Sequence, residues 1–579
     1  MANVMSVLKQ NGFSELACQF AAYIERIDKD KDLLVAVTAG LLTEAVSQGH
    51  VCLNLNKPNV LFKELAHVLP AEFSEWQAQL KQSNVVGSGD DYRPLILDDN
   101  GLLYLYRYWH DEQNVAKAIR QRDAVIDLQD VDTVKQTFAD WPTIIDGVDW
   151  QKVAVLMALT RQFCVISGGP GTGKTTIVLR LLQSLFQQNA HCRIALAAPT
   201  GKAAARLQYV ITDKEHDTIQ VKTLHRLLGI SPNNEQGRYN AERTLPFDVI
   251  IVDEASMIDI SLMAKLLQAL APTTRLVLLG DSQQLASVES GAVLANLCEN
   301  DMAFNADFVQ LANDVLGSDL TAYSNEGAGL NSVVKLQHSY RFDGDSLIGQ
   351  LADAIQSGAA NKVIDLLADA GTTVWQQEEH LNSLITGYKA YFEAVMAGNN
   401  PIACIQAFET YRVLCAVKQG AQSVEAVNRT IERHIAKMGW RSQHDFYHGR
   451  PVMITQNDYR QQLFNGDTGL ILKNETGQLQ ACFLIDNELR WVDLIRLPAY
   501  ETAFAITIHK SQGSEFDRIG VLLPQEESAG LNRELFYTAI TRAKKDVFVL
   551  ANEGIVRKTV VTQHDRESGL GGILNEQVD

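Results

Sequence analysis

The segment Gly168-Gly169-Pro170-Gly171-Thr172-Gly173-Lys174-Thr175 fits G-x-x-x-x-G-K-[ST], and no other feature narrows the possible folds of this chain as far. The pattern makes demands on both of its flanks. Glycines let consecutive backbone N–H groups close on phosphate oxygens, and the N-terminus of a following helix favours the anion they enclose. Phe163–Ser167 supplies an apolar strand before the loop, and Lys174–Gln188 a helical pattern after it. Strand, loop and helix in that order belong to a parallel sheet with crossover helices. Lys174 is then placed to reach the β- and γ-phosphates of a nucleotide such as ATP, and Thr175 to hold Mg2+.

The neighbouring pattern agrees. Arg193–Ala198, Asp248–Asp253 and Arg275–Gly280 read as further buried strands, with helices at Gly201–Val210 and Ser261–Leu270. Ile250-Ile251-Val252-Asp253-Glu254 ends in two acids where a parallel sheet beside a phosphate loop needs them. Asp253 is expected to hold the metal, and Glu254 to orient and deprotonate an attacking water. Leu278-Leu279-Gly280-Asp281 ends another strand, and Gln283 and Gln284 follow, able to hydrogen-bond both a γ-phosphate and the water.

A second α/β series follows. Tyr411–Val417, Ala503–Thr507, Arg518–Leu523 and Val547–Ala551 read as strands, and Ser423–His434 and Arg533–Lys544 as helices. Between them, 446–498 carries short strands with turns at Gly449-Arg450-Pro451, Asn465-Gly466-Asp467 and Asn474–Gly477, which suggests a small inserted β-barrel. Residues 1–110 read as a small, mainly helical domain without a catalytic constellation, and 554–579 as a polar tail.

At 579 residues the chain has room for about three to five domains. Its longest apolar run, Val153–Leu159, is far short of the roughly 20 residues of a membrane-spanning helix. Eight dispersed cysteines without a CxxC pair argue against a disulfide framework or zinc site and for small core residues in a reducing cytoplasm. The net charge of −18 excludes a histone-like coat on nucleic acid but not a local basic channel. Between Arg275 and Lys335 there is no Lys or Arg, while eight acids fall in the interval. The stretch 292–330 within it reads as a solvated loop region or, alternatively, a partner-facing surface.

Taken together, these segments resemble the superfamily 1 helicases of the 5′-to-3′ branch. Ala198–Leu207 matches motif Ia, Thr223–Gly229 motif Ib, Val252–Ser256 motif II and Gly280–Val288 motif III. Ser339-Tyr340-Arg341-Phe342 looks like motif IV, Thr507–Asp517 like motif V and Glu534–Ala543 like motif VI. Within that branch the resemblance is closest to the RecD family, the alpha subunits of RecBCD enzymes (exodeoxyribonuclease V), and Gly49–Leu53 and Leu103–Leu105 carry it into the N-terminal region.

The resemblance implies two RecA-like P-loop domains, 111–337 and 338–445 with 499–553. It implies a hairpin near 230–247, an SH3-like insertion at 446–498 and a partner-docking domain at 1–110. It places Gln151 where the family reads adenine, assigns Thr176 and Tyr340 to the nucleotide, and makes Arg341 and Arg542 fingers on the transferring phosphoryl group. Contacts to single-stranded DNA would fall to Thr200, Lys202, Thr223, His225, Thr507, His509 and Lys510. The two histidines are equally compatible with core or capping roles, and Tyr239 in the hairpin with a plain surface turn. The expected protein is an ATP- and Mg2+-dependent 5′-to-3′ DNA helicase acting on single-stranded and tailed double-stranded DNA. Its partners would be RecB-like and RecC-like chains, which would hold the nuclease site that this sequence lacks. A free-standing RecD-like helicase is the alternative, and a non-motor subunit with a structural ATP latch a third reading.

Overall fold

The computed structural model describes residues 4–575 apart from 58–59, 66, 90, 127–130, 142–146, 211–217, 232, 326–329, 343–345, 370–372, 376–380, 399, 438–445, 459, 486–487, 529 and 564–565. Two parallel α/β domains are present, as the strand pattern requires. The first sheet runs Val333–Leu336, Phe163–Gly168, Arg275–Gly280, Val249–Val252, Ile194–Ala198, Ile219–Thr223, with every pair parallel. Its four central strands are buried along their whole length, which is why they read as continuous apolar runs rather than alternating ones. Ser167 pairs with Gly280 and Val252 with Leu278, so the phosphate loop, Asp253 and Asp281 leave the carboxyl ends of three neighbouring strands. That edge is where open α/β sheets bind ligands.

The second sheet is also parallel, in the order Thr373–Trp375, Ala543–Ala551, Phe516–Leu522, Tyr411–Cys415, Ala505–Thr507. The helix expected over Arg533–Lys544 stops at Ile540, because Ala543 already pairs with Phe516 and begins the nine-residue strand. The insertion is a five-stranded antiparallel sheet built from Arg450–Ile454, Thr468–Lys473, Leu479–Ile485, Glu488–Asp493 and Tyr500–Thr502. Its hydrogen-bonded order is open, with Glu488–Asp493 at one edge and Tyr500–Thr502 at the other.

Several expectations are corrected. The N-terminal region packs three helices, Val4–Gln10, Glu15–Ile27 and Leu33–Ser47, but against a four-stranded sheet as well. Successive residues of that sheet face opposite ways. Leu53, Leu95, Leu97 and Leu103 enter the core of the N-terminal helices, while Cys52, Ile96 and Tyr104 enter the core of the first α/β domain. The expected boundary at 110 falls inside the helix Tyr106–Arg122, which packs on Ile260–Gln268. The stretch 292–330 is not a solvated loop: it forms the helices Val293–Leu297 and Ala306–Leu316, with Phe304, Phe308 and Leu320 buried. Asp307 and Asp314 lie on the exposed face of the amphipathic helix Ala306–Leu316, a 3.6-residue pattern that the charge count hid. The hairpin near 230–247 has no strand among its described residues, and Tyr239 turns back onto the first core with Arg238 and Arg243 over its ring.

The polar tail also forms helices among its described residues. Glu553–Val561 is a helix on the second domain, and Leu570–Asn575 is a helix on Tyr106–Arg122. Buried Glu112 accepts from Tyr104 Oη at 2.9 Å, from Ser568 Oγ and from the Gly569 N–H, tying this segment to the N-terminal sheet. Leu570 is wholly buried in the first-domain core. Leu570→Ala should therefore lower unfolding stability by about 2–5 kcal/mol in a denaturant titration, the cost of a core cavity. A loss under about 1 kcal/mol would mean that the segment is undocked in solution.

Candidate functional site

The loop after strand Phe163–Gly168 closes because two glycines take left-handed backbone: Gly171 at φ 79° and Gly173 at φ 85°, the latter capping helix Lys174–Gln188. Both are also crowded. A Cβ on Gly171 would lie 2.3 Å from the Cβ of Arg341, and one on Gly173 2.2 Å from Gln151 Nε2. The loop is thus clasped from both sides. Gln151, buried in helix Trp150–Thr160, donates to the Thr172 carbonyl at 2.9 Å and accepts from Arg180. On the other side Ser339 Oγ donates to the Pro170 carbonyl at 3.2 Å, and the Tyr340 N–H to the Gly171 carbonyl at 2.8 Å. The Tyr340 ring is half-buried, edge-on to His338. Thr175 is half-buried in the first turn and Thr176 exposed. The Lys174 ammonium folds back onto the loop, donating to the carbonyls of Gly168 at 2.5 Å and Gly169 at 3.1 Å.

The acids opposite Lys174 are short of cations. Burial and the adjacent Glu254 push the Asp253 carboxyl up to about 6, against the pull of Lys174. Glu254 sits in left-handed backbone at φ 53°, unusual for a side chain of its kind, where the chain leaves the strand. Burial also raises the Asp281 carboxyl, opposed by the Lys174 charge and by three donors. These are the Gln283 N–H at 3.0 Å, Gln284 Nε2 at 2.8 Å and the Tyr537 hydroxyl at 3.1 Å. Acids kept from water beside one lysine, under a loop of N–H donors, suit a divalent cation bound together with a polyphosphate.

Tyr537 comes from the second domain, and it is not alone. Thr538 Oγ1 accepts from the Leu285 N–H at 2.9 Å, and Gln512 Nε2 donates to the Leu285 carbonyl at 2.9 Å. The Leu285 side chain itself is buried in the core of the second domain. A cleft of about 380 Å³ opens beside this seam, lined by Gly168, Pro170, Asp281, Phe342, Gln356 and Tyr537 among others.

The two arginines lie at the seam but are engaged elsewhere. Arg341 holds the Glu515 carboxylate at 2.9 and 3.0 Å, and its other terminal nitrogen is buried without a partner. Burial alone would raise Glu515, yet Arg206 and Arg341 hold it below the usual carboxylate range. Arg542 is buried and donates to the carbonyls of Thr538 and Ser514 in its own domain.

The DNA candidates divide into two groups. Thr200, Lys202, Thr223 and His225 belong to the first domain. Thr200 and Thr223 cap helices through the Ala203 and Arg226 N–H groups. Lys202 is half-buried, and loss of hydration lowers its basicity. His225 is exposed in a groove with Arg107, Asp259 and Lys265. Thr507, His509 and Lys510 belong to the second. Thr507 Oγ1 accepts from the Lys510 N–H, Lys510 pairs with Glu501 at 2.8 Å, and His509 is exposed. Phe464 of the insertion reaches across to the first group, its ring 4.5 Å from the Arg226 guanidinium and against Gly201.

Sequence reasoning assigned no role to Tyr537, Thr538, Gln512, Glu515 or Asp281. All five lie inside strings it singled out, so the signal was present in position but not in partner.

Residues 9–104 match the family model described as the N-terminal domain of RecBCD enzyme subunit RecD, residues 151–290 an AAA domain, and residues 502–550 a UvrD-like helicase C-terminal domain. The chain is similar to RecBCD enzyme subunit RecD of Haemophilus influenzae, at 36% identity over 82% of this chain and 80% of that protein. It is equally similar to RecBCD enzyme subunit RecD of Mycolicibacterium smegmatis, at 36% identity over 93% and 94%. Similarity to the ATP-dependent RecD2 DNA helicase of Deinococcus radiodurans is 27% identity over 90% of this chain and 66% of that one.

Lys174→Gln keeps the loop's length but removes its cation. Nucleoside triphosphate turnover should fall by more than tenfold, from a transition-state loss of about 2–4 kcal/mol. The far-ultraviolet circular dichroism should not change. Unaltered turnover would remove this loop from the chemistry.

Proposed function

Because the chain belongs to the RecD family of RecBCD enzyme subunits, we propose that it is an ATP-dependent DNA helicase. In this reading it moves 5′-to-3′ on single-stranded DNA as one motor of a RecBCD-type helicase–nuclease in double-strand break repair and recombination. One observation carries the reading: the phosphate loop, Asp253 and Asp281 converge at the rim of one parallel sheet, while Tyr537 and Thr538, on helix Arg533–Ile540 of the second α/β domain, hydrogen-bond across to that rim. A latch that only bound nucleotide would need the first sheet alone. Two sheets that meet at the nucleotide turn hydrolysis into relative motion.

In the working cycle the Lys174 ammonium leaves the Gly168 and Gly169 carbonyls for the β- and γ-phosphates. Thr175 and Asp253 hold Mg2+, which neutralises phosphate charge when bound. Glu254 takes a proton from the attacking water, and Gln284 orients that water. Gln284 donates its amide hydrogens to Asp281, which leaves its carbonyl oxygen to accept from the water. Arg341 and Arg542 act on the developing charge once freed from Glu515 and from the Thr538 and Ser514 carbonyls. Gln151 reads the adenine edge, with Tyr340 beside it. Thr200, Lys202, Thr223, His225, Thr507, His509 and Lys510 follow the DNA backbone, since a motor must ignore sequence.

The N-terminal domain docks to RecB-like and RecC-like chains. Its 9 basic and 13 acidic residues within 1–110 disfavour a DNA-binding arm. Helix Glu15–Ile27 leaves Leu16 and Tyr23 exposed at 65% and 45%. A cytoplasmic compartment belongs to this reading and is supported by eight free, buried cysteines; no helix among the described residues is long and apolar enough to cross a membrane.

Two measurements test the proposal. In strand displacement, duplexes with a 5′ single-stranded tail should open and those with a 3′ tail should not; the opposite preference refutes the polarity. The pair Leu16→Glu and Tyr23→Glu should release the chain from its larger assembly to near 64.1 kDa while DNA-stimulated ATPase persists. A native protein that already migrates at that mass and unwinds alone fits the free-standing reading.

A further inference from the structure

The catalytic reading assigns no work to the second domain's Tyr537, although this buried side chain reaches the phosphate loop from that side. Its ring belongs to the second-domain core, 2% exposed. Its hydroxyl donates to Asp281 Oδ2 at 3.1 Å, and a Cβ built on Gly169 of the phosphate loop would lie 3.1 Å from the Tyr537 hydroxyl oxygen. Asp281 Oδ2 also takes the Gln284 amide at 2.8 Å, and Oδ1 takes the Gln283 N–H at 3.0 Å. All three donors converge on one buried carboxylate, which can only accept while ionised. The phenol is fit for the part, since burial and the Asp281 charge push its ionisation far above the ordinary range and keep it a donor.

We propose that Tyr537 is a positioning residue for hydrolysis: through Asp281 its hydroxyl sets the amide of Gln284, so that the water is aligned only when the second domain is seated on the first. The proposal rests on the nucleotide reading above and names how that site reads domain closure. Three features favour a relay over a plain packing contact. The bond joins two domains rather than neighbours within one. It ends on the carboxylate that holds Gln284. It is flanked by two more cross-domain bonds, from the Leu285 N–H to Thr538 Oγ1 and from Gln512 Nε2 to the Leu285 carbonyl, so the whole turn after Asp281 follows the second domain as a unit.

The test is a double-mutant cycle in the full chain, purified with any partners that accompany it, with DNA-stimulated ATP hydrolysis as the readout. Tyr537→Phe removes one oxygen and leaves the ring in its core. It should lower kcat about tenfold, the size of a lost hydrogen bond to a charged group, with KM for ATP changed less than about twofold. Gln284→Ala should lower kcat by about a hundredfold. If Tyr537 works through Gln284, the double variant should match Gln284→Ala within about twofold; a structural loss would multiply instead.

Wild-type kcat in Tyr537→Phe, a loss confined to KM, or multiplying losses in the double variant would each overturn the proposal. Should Tyr537→Phe fail to fold, Asp281→Asn takes its place in the cycle, with the same outcomes supporting or overturning it. Lys174→Gln separates the two layers. If it is inactive while the cycle multiplies, only the relay falls. If it remains active, the nucleotide reading falls with it.

Discussion

The turn from Asp281 to Leu285 is where the two halves of this molecule depend on each other. Leu285 grows from the first sheet, yet its side chain is buried in the core of the second domain. Its N–H and carbonyl are met by Thr538 and Gln512 of that domain. A backbone group left unpaired in a buried place costs about as much as a lost hydrogen bond, and a stranded leucine adds its own transfer cost. The domains therefore cannot slide past one another here, and relative motion has to pivot about this turn. Because the turn also carries Gln284, any such pivot moves the amide that donates to Asp281.

Charge at the rim follows from the same geometry. Three strand ends bring Asp253, Glu254 and Asp281 close to one lysine, under a loop whose free groups are N–H donors. Burial makes the charged forms of Asp253 and Asp281 costly, which is the condition under which a divalent cation and a polyphosphate bind favourably together. On the facing side, Arg341 and Arg542 are held by Glu515 and by backbone carbonyls. These internal partners balance both guanidinium groups at the seam.

The N-terminal domain and the last described helices extend this rigid frame. A sheet with both faces buried joins the N-terminal helices to the first α/β domain, and Glu112 fastens the 568–569 backbone to it. Arg566 donates to the carbonyls of Ser287, Glu289 and Gly291, just beyond the pivot turn. The chain thus leaves the second domain through helix Glu553–Val561 and returns to the first beside the element that moves.

By itself the sequence determined the local elements and their chemistry. Apolar runs of four to six residues bounded by turn signals read as strands buried on both faces, whereas the longer run Val153–Leu159 is a buried helix. A glycine loop before a lysine-led helix suits an anion, so both sheets and the positions of Lys174, Asp253 and Glu254 at the rim were legible from spacing. The RecD likeness was legible in the motif strings. Tertiary structure decided what depends on partners distant in sequence. Residues 292–330 looked like a charged loop until Trp150 and its neighbours gave Phe304 a core to enter, and 554–575 looked like a tail because its anchors, Glu112 and the 287–291 carbonyls, lie hundreds of residues away. Asp281 and Tyr537 stand 256 positions apart. No periodicity links them; only the packing of the second domain's helix Arg533–Ile540 onto the first domain puts a tyrosine hydroxyl on that carboxylate.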